Sequence, residues 1–141
     1  MSQGWFYWAV LSAAFAALTA IFAKVGIQGV DSDLATLVRT AIIGVVLSAF
    51  IAATGKWSNP MQLSGRTWAF LGLSGLATGA SWVCYFRALQ IGEASKVAPI
   101  DKLSVVFVLV FAALFLGETL TAKTVLGGAL IAAGAVVLAL K

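Results

Sequence analysis

Asp101 and Lys102 stand side by side near the head of a long apolar run, "VAPIDKLSVVFVLVFAALFLGE". A carboxylate and an ammonium in such a place can form an ion pair, bind a charged solute or move a proton. Two more cations sit in apolar stretches, Arg39 in "DLATLVRTAIIG" and Arg87 in "SWVCYFRALQIG". Ser81 and Tyr85 in the second stretch are i,i+4 neighbours, which share one face of a helix. An ionisable residue at the centre of a membrane span costs about 2.5–3.5 kcal/mol on insertion scales, and those that persist have a partner or a task. Binding and charge movement are therefore the chemistry to expect. Bond-making chemistry has little to work with. The chain has no His and one Cys, Cys84, which excludes an intrachain disulfide and leaves almost no metal-ligand set. It also lacks GxGxxG, Walker, zinc and GxSxG patterns. The expectation is no enzyme, no metal and no cofactor. The net charge of +4 is thinly spread, so no nucleic-acid partner is expected.

The elements that hold these residues follow from composition. Of 141 residues, 62% are hydrophobic and 10% charged, with a mean hydropathy of +1.05. Soluble domains carry about 25% charged residues. Too few polar groups are present to cover a water-facing surface, so lipid must solvate most of the exterior. A spanning helix needs about 20 mostly apolar residues, and five stretches qualify: 5–23, 34–54, 67–89, 97–116 and 120–140. Between them lie "KVGIQGVDSD", "GKWSNPMQLSGR", "QIGEASK" and "GET", rich in turn formers. Backbone groups in lipid must bond within the segment, and runs of this length without alternation are helices. The expected fold is an all-α integral membrane protein with five transmembrane helices. No Lys or Arg precedes Lys24, so "MSQGWFYWAV" reads as a retained span rather than a signal peptide.

Let side A be the membrane face that holds the N-terminus, and side B the other. Trp5, Trp8, Trp57, Trp68 and Tyr7 all fall at side A, an aromatic belt on one face. The loops and tails place Lys56, Arg66 and Lys123 on side A against Lys24, Lys96 and Lys141 on side B. The positive-inside signal is balanced. Adding Arg39, Arg87 and Lys102 at side B helix ends tips it toward side B in the cytoplasm, with the N-terminus outside. A near-balanced count is also what a chain inserted in both orientations shows.

Arg39 lies five residues past Leu34, about 8 Å into the span at 1.5 Å per residue. Lys102 has a similar depth if its helix begins at Val97, and Arg87 can reach the interface. The short stem of Asp101 cannot, so it needs a partner. Consecutive helical residues do not face each other, which disfavours Lys102. The expected partner of Asp101 is Arg39 or Arg87. Pro99 suits a first helical turn, so the fourth helix is expected to start at Val97 or Pro99. Glu118 is placed at the N-terminus of the fifth helix, where a carboxylate complements the dipole. Small residues let membrane helices approach closely. Gly44, Ser48 and Ala52 in span two, and Gly72, Gly75 and Gly79 in span three, are assigned to packing within the chain. In span five Gly128 and Ala132 share one stripe, and Gly127 and Gly134 another.

"YFRALQIGEASKVAPIDKLSVVFVLVFAALFLGE" followed by "TLTAKTVLGGALIAAGAVVLAL" resembles the EamA domain of the drug/metabolite transporter superfamily. The shared features are aromatic-x-Ala-Leu closing span three, Ala94-Ser95, a long apolar span ending in Leu116-Gly117-Glu118, and Gly-x-x-Leu-Ile-x-x-Gly in span five. The resemblance implies one EamA-like domain over 1–141, half of an inverted-repeat transporter of small metabolites. Most members carry two such halves in opposite orientations, so it further implies a homodimer, antiparallel if the chain inserts both ways. "AVLSAAFAALTAIFAKVG" resembles the first span of the small multidrug resistance proteins, whose buried Glu is replaced here by Ala16. No acid occurs in residues 1–30, so cation–proton exchange through that residue is not carried over. The last helix of that family implies a dimer contact in span five, at Gly127, Gly128, Ala132 and Gly134.

The site expected to handle substrate or protons comprises Asp101, Lys102, Arg39, Arg87, Tyr85 and Ser81. Three cations against one acid point to an anionic or zwitterionic small molecule; the resemblance implies a transporter, read as an exporter working by alternating access. Its partners would be the bilayer, the solute and a second copy, in the inner membrane of a bacterium or archaeon. A non-transporting membrane scaffold and a flippase for a lipid-linked headgroup are the alternatives. As Asp101 is the one acid well inside an expected span, Asp101→Asn should abolish transport while leaving insertion unchanged. Full flux through the Asn variant in liposomes would remove this carboxylate from the mechanism.

Overall fold

The computed structural model describes residues 4–140. It is helical throughout, with five segments long and apolar enough to cross a membrane. They are α1 (Gly4–Gly26), α2 (Ser32–Ala53), α3 (Gly65–Ile91), the pair α4 (Ala94–Asp101) and α5 (Ser104–Phe115), and α6 (Ala122–Ala139). A short 3₁₀ turn, Pro60–Gln62, lies in the α2–α3 connection. The expected spans are all present, with shifted ends. The chain forms two compact units, residues 25–90 and residues 1–24 with 91–141.

In the unit of residues 25–90, α2 starts earlier than hydropathy placed it. The Asp31 carboxylate accepts from the backbone N–H groups of Asp33 and Leu34, both at 3.0 Å, capping donors that have no partner inside the helix. Hydropathy averages across such a cap and reads it as loop. At the other end of α2, Gly55 turns the chain with φ +65°. Trp68 then ties α3 to the 3₁₀ turn, its indole N–H donating to the Pro60 carbonyl at 3.2 Å. Trp5, Trp8, Trp57 and Trp68 are all exposed, as interfacial aromatics should be. Buried residues concentrate near the chain positions assigned to side B: Ile27, Ser32, Thr36, Phe86 and Leu89.

In the other unit, span four departs from expectation. It begins at Ala94, so Pro99 lies inside α4 rather than in its first turn. Proline has no N–H and crowds the carbonyl four residues back. One turn later the regular helix gives way. Leu103 N–H bonds Ile100 O at 3.0 Å, Val105 N–H bonds Lys102 O at 3.0 Å, and Val106 N–H bonds Leu103 O at 2.9 Å. These i→i−3 bonds are the tighter 3₁₀ pattern. Asp101 and Lys102 thus stand at a junction between two short helices. After α5, Gly117 adopts φ +68°, and the N–H groups of Leu116 and Glu118 share the Ala112 carbonyl, at 3.0 and 3.2 Å. The start of α6 is set by Thr121, whose hydroxyl accepts from Thr124 N–H at 3.2 Å. Glu118 is a linker residue, not the helix-opening carboxylate expected.

α6 packs on α4 and α5, burying Gly128 and Ala135, with Ala112 buried on α5. The approach is close: a Cβ on Gly128 would lie 3.0 Å from Leu109 Cδ1. Gly44, Gly72, Gly75 and Gly79 have no atom within 4 Å of an added Cβ. The close packing expected of their stripes within the chain is therefore not made at these glycines. Gly128→Leu should destabilise the purified protein by about 1–3 kcal/mol through overpacking, and Gly44→Leu should not. Thermal unfolding of both variants in one detergent tests this, and equal midpoints would refute the assigned contact.

Candidate substrate site

The polar side chains of residues 25–90 gather on facing stretches of α2 and α3. Arg39 lies two turns into α2. Its guanidinium carbon is 4.3 Å from the Trp82 ring centroid and 5.4 Å from that of Phe86. Trp82 and Phe86 are i,i+4 on α3, so one helix face supplies both rings. Phe86 is buried and Trp82 half-buried, which makes the pair a fixed platform. Tyr85 meets Phe86 edge-on, with centroids 6.5 Å apart. Ser81 is exposed one turn earlier. Cation–π contacts of this type stabilise by about 0.5–1 kcal/mol when exposed and about 2 when desolvated. Arg39 makes no ion pair or hydrogen bond with a described residue. The neighbouring threonines turn inward, Thr36 donating to Ser32 O and Thr40 to Thr36 O, each at 2.8 Å.

Arg87, one turn beyond Val83 on α3, has a different environment. Its Nε donates to Asp33 Oδ1 at 3.0 Å and its Nη2 to Asp33 Oδ2 at 2.5 Å. This is a two-bond fork, the strongest geometry between the two groups. Gln90 adds a bond from Nε2 to Val30 O at 2.8 Å. Sequence reasoning missed Asp33 because hydropathy left it in the first connection. Its signal was available, since the loop carrying it and the end of α3 carrying Arg87 were both assigned to side B.

In the other unit, Asp101 pairs with Lys102, carboxylate to ammonium at 3.2 Å. The expected pairing of Asp101 with Arg39 or Arg87 is corrected: Arg87 holds Asp33, Arg39 lies on aromatic rings, and Asp101 takes its neighbour. The rule that consecutive residues diverge holds for a continuous helix. Here α4 ends at Asp101, and the long lysine stem folds back along the junction. The helix start at Ala94 also sets Asp101 deeper, about 10 Å along the span at 1.5 Å per residue. Lys24 donates to the Gly92 carbonyl at 2.8 Å, and Lys96 pairs with Glu93 at 3.1 Å.

The residues assigned to a dimer contact divide by face. Gly128 lies against Leu109 of α5, and Ala132 lines an apolar groove of about 320 Å³ between α5 and α6. Gly127 and Gly134 have open space where a Cβ would be. Gly128 thus serves packing inside the chain, a use that sequence spacing alone did not separate from dimerisation.

Five apolar helical spans, with ionisable residues held inside them by specific side chains, define a multi-pass membrane protein. The chain belongs to the EamA-like transporter family, whose model matches residues 3–140. It is also 62% identical over 139 residues to an "Uncharacterized transporter in cobO 3'region" from Sinorhizobium sp., covering 99% of each chain. No solved structure matches it. The protein is thus a membrane transporter, of a size that fits half of a two-domain family member.

The fork between α2 and α3 yields a prediction. Asp33→Arg should lower thermal stability, by placing like charges together, and the swap Asp33→Arg/Arg87→Asp should recover most of the loss. A swapped variant no better than the single one would show that the pair does not join the two helices.

Proposed function

We propose that the protein is a secondary exporter of a small anionic or zwitterionic metabolite, working as an antiparallel homodimer of single-domain chains in the bacterial inner membrane. The observation that carries the substrate charge is the balance within residues 25–90. Both acids of this unit are committed, Asp31 to the α2 cap and Asp33 to Arg87, while the Arg39 cation has no acid partner there. Arg39, with Tyr85 and Ser81, is assigned to the substrate; Arg87 holds the α2 start in place. Asp101, half-buried beside Lys102, is assigned to proton coupling as the one acid well inside an expected span.

The dimer rests on a separate argument. At most 11% of any span's most apolar stretch is buried, so the helices leave broad faces for lipid or a second copy. Inverted repeats are an established transporter plan, and one gene reproduces it when its chain inserts both ways. The balanced loop charges favour this, and the open Gly127 and Gly134 face of α6 is the contact we assign. A second reading has its own support: the apolar groove between α5 and α6 suits an acyl tail, and so a lipid-linked anionic cargo.

Reconstitution of the purified protein separates these readings. Flux of water-soluble organic anions is the expected result; movement of an anionic lipid between leaflets without solute flux would favour the second. Absence of both would leave a scaffold. In intact cells, single-Cys probes at Lys24 and at Lys123 should each label from both sides of the membrane. Labelling of each site from one side only would rule out dual insertion.

A further inference from the structure

The Arg39 platform is more specific than a positive charge. A guanidinium has two faces and an edge, and all five of its N–H donors lie in the edge. Here Trp82 takes one face at 4.3 Å, and Phe86 lies 5.4 Å away. A ring contact of this kind holds the cation without using a donor. The acids and the flanking threonines are engaged elsewhere, and the Tyr85 phenol is the polar group that acts on Arg39 electrostatically. The Asp33 carboxylate uses both oxygens on Arg87, Asp31 accepts two backbone N–H groups, and the flanking threonines donate back along α2. An unmet donor away from water is costly, and Arg39 is only half exposed, two turns inside an apolar helix. A planar fork held against an indole is what two-oxygen recognition requires.

We infer that Arg39, held over Trp82 and Phe86, is an oxyanion-binding group that takes a carboxylate or phosphoryl group through two parallel hydrogen bonds in the guanidinium plane. The inference rests on the proposed anionic or zwitterionic cargo and deepens it. It assigns the cargo's recognised group and distinguishes Arg39 from Arg87, whose fork is already filled from within the chain. The anion needs two oxygens in one plane, so halides are poor ligands. Trp82 is a positioning residue: without it the charge remains, but the fork loses its fixed orientation.

The test reads binding directly, on purified full-length protein, without requiring transport. Arginines are modified with p-hydroxyphenylglyoxal and each site is quantified by mass spectrometry in the presence of benzoate, inorganic phosphate, chloride or tetramethylammonium. Benzoate or phosphate should protect Arg39 at concentrations that leave Arg66 unprotected, while chloride and tetramethylammonium should not. In Trp82→Leu the half-protecting concentration should rise roughly 2- to 30-fold, the range expected for losing one cation–π contact. Trp82→Phe, which keeps a ring and guards against a folding artefact, should show a smaller rise. Equal protection of Arg39 and Arg66, protection by chloride alone, or indifference to Trp82→Leu would overturn the assignment. The same preparation, reconstituted, is assayed for anion flux. Flux with an unprotected Arg39 sinks the site and leaves the transport reading standing. Protection without flux sinks the transport reading and leaves the site standing.

Discussion

A charged side chain inside an apolar span has to find its compensation nearby, because the surrounding medium supplies none. The helices of this protein are arranged around the several ways in which that demand is met. Arg87 takes a carboxylate from the start of α2. Lys102 turns to its own neighbour. Lys24 finds a backbone carbonyl beyond the end of α3. Arg39 takes aromatic faces, which lower the cost of its charge and leave its donors unsaturated. The first three arrangements close the electrostatic account internally. The last one uses no guanidinium donor, and the proposed anion is assigned there for that reason.

The same demand acts on the backbone. In lipid, an amide without a partner is as unwelcome as a bare charge. Pro99 removes one N–H from the second turn of span four, and the chain answers by tightening to i→i−3 bonds around Lys102 and Leu103. The adjustment keeps the peptide groups there bonded but divides one spanning helix into two. Its position matters because it coincides with Asp101 and Lys102, so the charge pair lies where backbone geometry is least regular. An ion pair between consecutive residues, disfavoured in a continuous helix, becomes accessible at such a junction.

The number and order of the spans were legible in hydropathy because each apolar run is long and its separators are polar. Their ends were less so. The Asp31 cap, the Thr121 cap and the Ala94 start are local hydrogen-bond decisions that an averaged apolar run does not register. Arg39 and Arg87 stood out by their type and placement, yet their partners did not. Trp82 was visible as an aromatic beside Ser81 and Tyr85, but only the facing of α2 and α3 puts its ring under a guanidinium. Asp33 was hidden by a boundary drawn two residues too late. The glycine stripes show the limit of spacing arguments most clearly. Gly128 and Gly134 are the same residue type in one helix, and only packing separates the one pressed on Leu109 from the one facing open space.

That separation constrains what α6 can do in an assembly. Close helix approach in a membrane gains through van der Waals contact, which needs a surface free of neighbours in the single chain. Gly128 has already met Leu109 of α5. Gly127 and Gly134 are seven residues apart, close to two helical turns, so they recur on nearly the same face of α6, with the exposed Leu130 and Ile131 between them. A contact between copies on this face does not disturb the α5 packing. The apolar groove between α5 and α6 opens beside the Gly128 packing, so a lipid tail lodged there and a second copy on the Gly127 face need not compete. The two readings of the cargo are therefore compatible with the proposed dimer, and the choice between them rests on the solute rather than on the assembly.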